Sequence, residues 1–109
     1  MGAADIQDFG ADHLVLATGS RWRRDGIGVV NEEGADFPKA LTPDDVFKGA
    51  IITGPVVVYD DENYFMGGAL AEKFRLAGHE VTLVTPMATA SSWTVMTDEQ
   101  FFVQKRLLE

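Results

Sequence analysis

Apolar and polar positions divide this chain into short strand-like runs and helical stripes. Val56, Val57, Val58 and Tyr59 form an unbroken apolar run, the pattern of a strand buried on both faces. A polar loop follows. Met66, Leu70, Phe74 and Ala77 then recur at steps of four, four and three, which places one apolar stripe on one face of a helix. Gly78 supplies a left-handed stop to that helix. Val81 to Val84 is a second β-rich run. Strand, helix and strand at this length predict a βαβ unit with parallel strands and a right-handed crossover.

The rest of the chain adds shorter signals. Ile6 and Phe9, stopping at Gly10, fit one or two helical turns. Leu14, Val15, Leu16 and Ala17 read as a buried strand ending in Thr18-Gly19. Residues 20–40 carry Gly26, Gly28, Gly34 and Pro38 among charges, the composition of a long loop with a short strand at Ile27–Val30. Thr42-Pro43-Asp44-Asp45 is a helix start, with a Thr N-cap, Pro at the first helical position and acids in the first turn. Gly49 ends that helix. The stretch after Pro86 reads as a loop. Thr97-Asp98-Glu99-Gln100 predicts a capping box, with Met96 and Phe101 placed as a hydrophobic staple. Phe101, Val103, Leu107 and Leu108 give the last helix an apolar side, and it runs to Glu109 without a stop signal, as a cut chain would. The expected fold is α/β, a three-layer Rossmann-like fragment with a small parallel sheet of Leu14–Ala17, Val56–Tyr59 and Val81–Val84.

Composition narrows the function classes. A length of 109 residues suits one small domain. The net charge of −8 argues against a nucleic-acid partner and against adsorption to an anionic membrane surface. The chain has no cysteine, so this segment holds no disulfide, thiolate metal site or iron–sulfur ligand. No apolar run approaches the roughly 20 residues of a membrane span. No charged, apolar and small-residue succession marks a secretory leader, so a cytoplasmic location is expected.

The polar loop between the first strand and its helix is where a dinucleotide would bind. The usual fingerprint there is G-x-G-x-x-G. Its first two glycines allow a tight turn and close approach to the pyrophosphate, and the third lets helix pack on strand. Counting back from Gly78, the third glycine falls on Gly67, the second on Tyr64 and the first on Glu62. The packing glycine is present and the phosphate-facing glycines are not. Asp60, Asp61 and Glu62 instead put carboxylates beside a helix N-terminus, where the helix dipole favours them over a ligand. The second strand runs into Thr85 and Pro86, without the acidic residue that holds a ribose 2′-hydroxyl. The residues thus predict a Rossmann-type unit with a degraded nucleotide site, whose vestige is Gly67 and Gly68.

Other candidates have plainer readings. Arg21-Trp22-Arg23-Arg24 is the basic cluster of the chain and suits a solvated loop or an interdomain ion-pair surface better than a phosphate site. Asp60, Asp61 and Glu62 lack the ligand spacing of a calcium loop, so no metal is expected. His13 and His79 stand in no catalytic spacing and read as structural. Ser91 and Ser92 lack a nucleophile elbow. Trp93 reads as a packing residue, with interdomain contact as its functional alternative.

Two stretches together resemble a known family. Asp12-His13-Leu14-Val15-Leu16-Ala17-Thr18-Gly19 is similar to the "ATG" motif that closes the flavin- or ADP-binding domain of flavoproteins with two dinucleotide domains. The second stretch is Val56 to Pro86, with Tyr64-Phe65-Met66 in the altered loop, then Leu70-Ala71-Glu72-Lys73 and Gly78-His79-Glu80-Val81-Thr82. The pair resembles the C-terminal part of trimethylamine dehydrogenase and its relatives, the dimethylamine and histamine dehydrogenases and, more distantly, 2,4-dienoyl-CoA reductase. The resemblance implies a parent enzyme whose N-terminal (β/α)₈ barrel carries FMN, a [4Fe–4S] cluster and the amine-oxidising chemistry. A pair of domains, one binding ADP or FAD and one shaped like an NADPH domain, would follow. On that view residues 1–20 are the exit of the flavin- or ADP-binding domain, residues 21–54 a connecting loop and short helix, and residues 55–109 a partial NAD(P)-binding-like βαβ domain. Thr18 and Gly19 would lie against the ADP or FAD of the parent. The partners implied are the remaining domains of the parent and, through it, an electron-transfer flavoprotein. None of the family's catalytic residues falls on this chain, so it is expected to bind no cofactor and oxidise no amine alone. The resemblance leaves two functions open: a scaffold segment of an amine dehydrogenase, or an NAD(P)H-binding module as in the dienoyl-CoA reductase branch.

Overall fold

The computed structural model describes residues 2–109. The elements run α1 (Ala3–Gln7), α2 (Pro43–Phe47), β1 (Val56–Tyr59), α3 (Met66–Leu76), β2 (Val81–Val84), a 3-10 helix (Ser92–Thr97) and α4 (Gln100–Leu108). Both strands of the predicted βαβ unit form over the expected residues. They pair in parallel, with Val56 opposite Val81 and Tyr59 opposite Val84.

Helix α3 crosses between the strands and packs on both. Leu70, Ala71 and Phe74 are buried against Val58, and Met66, Val81 and Leu83 pack around them. The predicted stripe therefore faces the sheet, apart from Ala77, which lies exposed at the helix end. Gly78 has φ +89°, and its N–H donates to Arg75 O while His79 N–H donates to Phe74 O. That is a Schellman termination, in which a left-handed glycine returns two amides to the last carbonyls. His79 then stands edge-on to Phe74, its Nδ1 3.0 Å from Gly54 O.

Three expectations about the strands are corrected. Among the described residues the sheet has two strands and Leu14–Ala17 joins no ladder; Leu14, Val15 and Leu16 are 61%, 86% and 73% exposed. Strand propensity places such a run only when a ladder is available to satisfy its backbone. Likewise β1 is not buried on both faces. Val58 is buried while Val57 and Tyr59 are exposed, because α3 covers one face and no third layer covers the other. Finally, Ile27–Val30 is irregular, not a strand.

The flanking elements follow their local chemistry. Thr42 and Asp45 form a reciprocal capping box on α2. Arg24 bonds Asp45 Oδ1 at 2.7 Å and Ala40 O at 2.9 Å, and Arg23 pairs with Asp25. The basic cluster is thus engaged largely with the chain's own carboxylates. The stretch after Pro86 contains a 3-10 helix where a loop is expected. Thr97 does not cap α4. It ends the 3-10 helix, and its hydroxyl donates to Glu99 Oε2 and Thr94 O. Asp98, at φ +58°, reverses the chain between the two helices, which leaves Met96 and Phe101 exposed and the staple unformed. Val103 and Leu107 form the half-buried side of α4, whereas Phe101 and Leu108 face outward. Among the described residues no helix is long and apolar enough to cross a membrane.

Candidate functional site at the β1–α3 corner

The corner between β1 and α3 holds most of the buried polar groups among the described residues. Asp60, Asp61 and Asn63 are 3%, 6% and 0% exposed, and Ser91 and Thr94 are fully buried beside them. Asn63 sits at the centre. Its φ of +61° lies in the left-handed region that asparagine tolerates better than most residues. Its N–H donates to Asp60 Oδ1 at 3.0 Å and its side-chain amide to Asp61 O at 2.8 Å. Its Oδ1 accepts from the Thr85 hydroxyl at 2.7 Å, and its carbonyl accepts from Trp93 N–H at 2.8 Å. One asparagine thus ties the loop, the end of β2 and the start of the 3-10 helix together.

The carboxylates are held in different ways. Asp61 Oδ2 accepts from the N–H groups of Val30 and Asn31, at 2.9 and 3.1 Å. Burial pushes the Asp60 carboxyl above its ordinary pKa, against the opposing pull of the Asn63 and Glu62 amides. Burial also raises Glu62, while the Met66 and Tyr64 amides at the start of α3 favour its charged form. Asp60 Oδ2, Asp61 Oδ1, Glu62 Oε2, Ser91 Oγ and Ser92 Oγ are buried without a hydrogen-bond partner. No group of three or more His, Cys, Asp or Glu among the described residues is arranged to hold a metal ion.

The glycines of the corner are packed against these side chains. A Cβ at Gly67 would overlap the Asp60 carboxyl, and one at Gly68 would lie 2.9 Å from Ser91 Oγ and 3.4 Å from Val103 Cγ1. Thr18 and Gly19 are elsewhere. Both are exposed, Gly19 has open space where a Cβ would stand, and no hydrogen bond among the described residues ties them to the corner. Beside the corner, Tyr64, Phe65, Glu72, Val103, Arg106 and Leu107 line a groove of about 400 Å³ between α3 and α4.

Sequence reasoning finds the acidic loop and Gly67 but misses the polar knot. Asn63, Ser91 and Thr94 are distant in sequence and carry no periodic signal. The clue available is an asparagine in a tight strand-to-helix loop, a residue suited to a left-handed turn.

Comparison with known proteins places this corner in a family. Residues 41–109 match the family model of the OYE-like second alpha/beta domain. Dimethylamine dehydrogenase of Hyphomicrobium sp. (strain x) is 40% identical over 91 residues, covering 78% of this chain and 12% of that protein. The structure of 6-hydroxypseudooxynicotine amine oxidase (HisD) from Pseudomonas geniculata N1 superposes with a TM-score of 0.82 at 38% identity, over 99% of this chain and 17% of that one. Histamine dehydrogenase from Rhizobium sp. 4-9 gives a TM-score of 0.79 at 40% identity, over 98% of this chain and 16% of that one. The chain therefore spans less than a fifth of each of these relatives, and it belongs to the OYE-like second alpha/beta domain family as a segment of the amine dehydrogenase type.

Proposed function

We propose that this chain is a scaffold segment of a flavin- and iron–sulfur-dependent amine dehydrogenase, a Rossmann-like domain whose nucleotide site has degenerated and which has no catalysis of its own. The parent's FMN, [4Fe–4S] cluster and ADP would be held by its other domains, since this chain has no cysteine to ligate a cluster. Thr18 and Gly19, on the exposed stretch before the family-matched region, would reach the neighbouring ADP or FAD domain. The uncovered face of β1 would carry the third layer in the parent. An electron-transfer flavoprotein would meet the parent, not this segment.

The observation that carries this reading is the filling of the β1–α3 corner. A dinucleotide needs free amides at the helix start and bare backbone for close approach. Here the Asp60 carboxyl stands over Gly67, and Glu62 lies by the first amides of α3. Buried carboxylate oxygens already lacking donors do not fit a pyrophosphate. The same filling disfavours the NAD(P)H-module alternative.

The test of the scaffold role is turnover. The purified chain, assayed with trimethylamine, dimethylamine and histamine and an artificial electron acceptor, is expected to oxidise none. Steady amine-dependent reduction by the pure chain would overturn the reading.

A further inference from the structure

The contact between Asp61 and the segment Gly26–Asn31 has the form of an anion receptor. Two successive backbone N–H groups, of Val30 and Asn31, converge on one carboxylate oxygen at 2.9 and 3.1 Å. Converging amides of this kind form an anion-binding concavity. Gly28 gives the bare backbone beside them, because a Cβ there would overlap Asp61 Oδ2. This is the use to which close-approach glycines are put around phosphate groups. The receptor is braced by bonds that do not involve Asp61. Asn31 Nδ2 donates to Gly26 O and Glu33 O, both at 2.8 Å. Gly28 N–H donates to Asn31 O and Ala35 N–H to Asp25 O, both at 2.9 Å.

We propose that Gly28 with the N–H groups of Val30 and Asn31 is a receptor for a small oxyanion of the phosphate class, which Asp61 occupies in cis. The site lies outside the residues matched by the family domain and is joined to that domain by Asp61. A tethered carboxylate acts at an effective concentration in the millimolar range or above. Dilute free phosphate therefore loses to Asp61, and the latch holds residues 26–31 on the β1–α3 corner. Opening the latch requires withdrawal of Asp61, after which an oxyanion replaces it on the same two amides.

The test follows amide shifts in the isotope-labelled full chain, titrated with inorganic phosphate at pH 7 and constant ionic strength, with chloride as control. The wild type is expected to show no saturable shift at Val30 and Asn31. Asp61→Ala is expected to show saturable shifts at Gly28, Val30 and Asn31 with phosphate and not with chloride, at least tenfold larger than in the wild type. Adding Gly28→Ala to Asp61→Ala should abolish them, because the new Cβ fills the place of the oxyanion. If Asp61→Ala does not fold, Asp61→Ser takes its place, whose shorter side chain does not reach the two amides as the carboxylate does: its Val30 and Asn31 amides should exchange at least tenfold faster than in the wild type, and phosphate should slow them. A folded Asp61→Ala whose amides ignore phosphate overturns the receptor, as does an Asp61→Ser whose exchange phosphate leaves unchanged.

Discussion

Helix α3 rests on an apolar cluster along its length and on a polar knot at its start, and the two supports obey different rules. Leu70, Ala71 and Phe74 meet Val58 through shape and apolar area alone. At the other support Asp60, Asp61, Asn63, Ser91 and Thr94 are as deeply buried as the core or more so. An apolar contact is tolerant of direction. A buried polar group is stabilising only when its partners are met, and each unmet one costs about 1–3 kcal/mol. With several oxygens of the knot unpartnered, the corner is the costly end of the helix and the sheet face the stabilising one. The corner where a nucleotide would meet a Rossmann-type unit is filled here by groups that hold loops together.

Substitutions in the two supports separate these rules. Phe74→Ala removes the largest side chain of the apolar cluster and should cost about 3–5 kcal/mol. Denaturant unfolding measures it. A loss below about 1 kcal/mol would mean that the sheet face is not the main support. Asn63→Ala deletes the bonds to Asp61 O and Thr85 and leaves an alanine at φ +61°. About 2–3 kcal/mol is expected from the unpaired neighbours and the backbone strain together. Asn63→Gly, which relieves the strain alone, should recover part of it.

Thr42→Ala touches neither support. It removes the α2 cap and should cost about 1 kcal/mol, giving a baseline for a local contact. The smallest effect is the pH dependence of the knot. Asp60 and Glu62 have raised pKa values, so their contribution to stability is present at low pH and is lost as pH rises through the folded values. The thermal midpoint should therefore climb as pH is lowered from neutral towards the ordinary carboxylate range. Asp60→Asn should flatten that slope. At lower pH the trend reverses, because Asp25 is held down at about 2 by Arg23 and Asp45 is lowered by Thr42, and both lose their partners' benefit as they protonate. A midpoint that does not climb anywhere between neutral pH and the ordinary carboxylate range would contradict the upward shift that burial imposes on Asp60.

The apolar support is legible in the sequence and the polar one is not. The run Val56–Tyr59, the stripe through Leu70 and Phe74 and the stop at Gly78 fix two strands, a helix and their pairing, because each depends on residues near in sequence. Thr42-Pro43-Asp44-Asp45 gives α2 for the same reason. Leu14–Ala17 misleads, since an apolar run signals readiness to pair and not the presence of a partner. Val57 and Tyr59 mislead in the same way, because a run reads as buried on both faces whether or not a second layer is there. Thr97 carries a capping sequence but is used by the 3-10 helix before it. The knot joins Asn63 to Thr85 and Trp93, and Asp61 to Val30, across separations that no periodicity records.

The most direct test of the account is a titration of the wild-type chain with NADH, NADPH and ADP, following the amides of residues 60–68. The carboxylates that fill the corner should exclude each nucleotide, so no saturable shift is expected below about millimolar ligand, an affinity weaker than about 4 kcal/mol. Saturable shifts centred on Gly67 and Gly68 at micromolar ligand would show that the corner opens to a nucleotide, and the scaffold reading would fail.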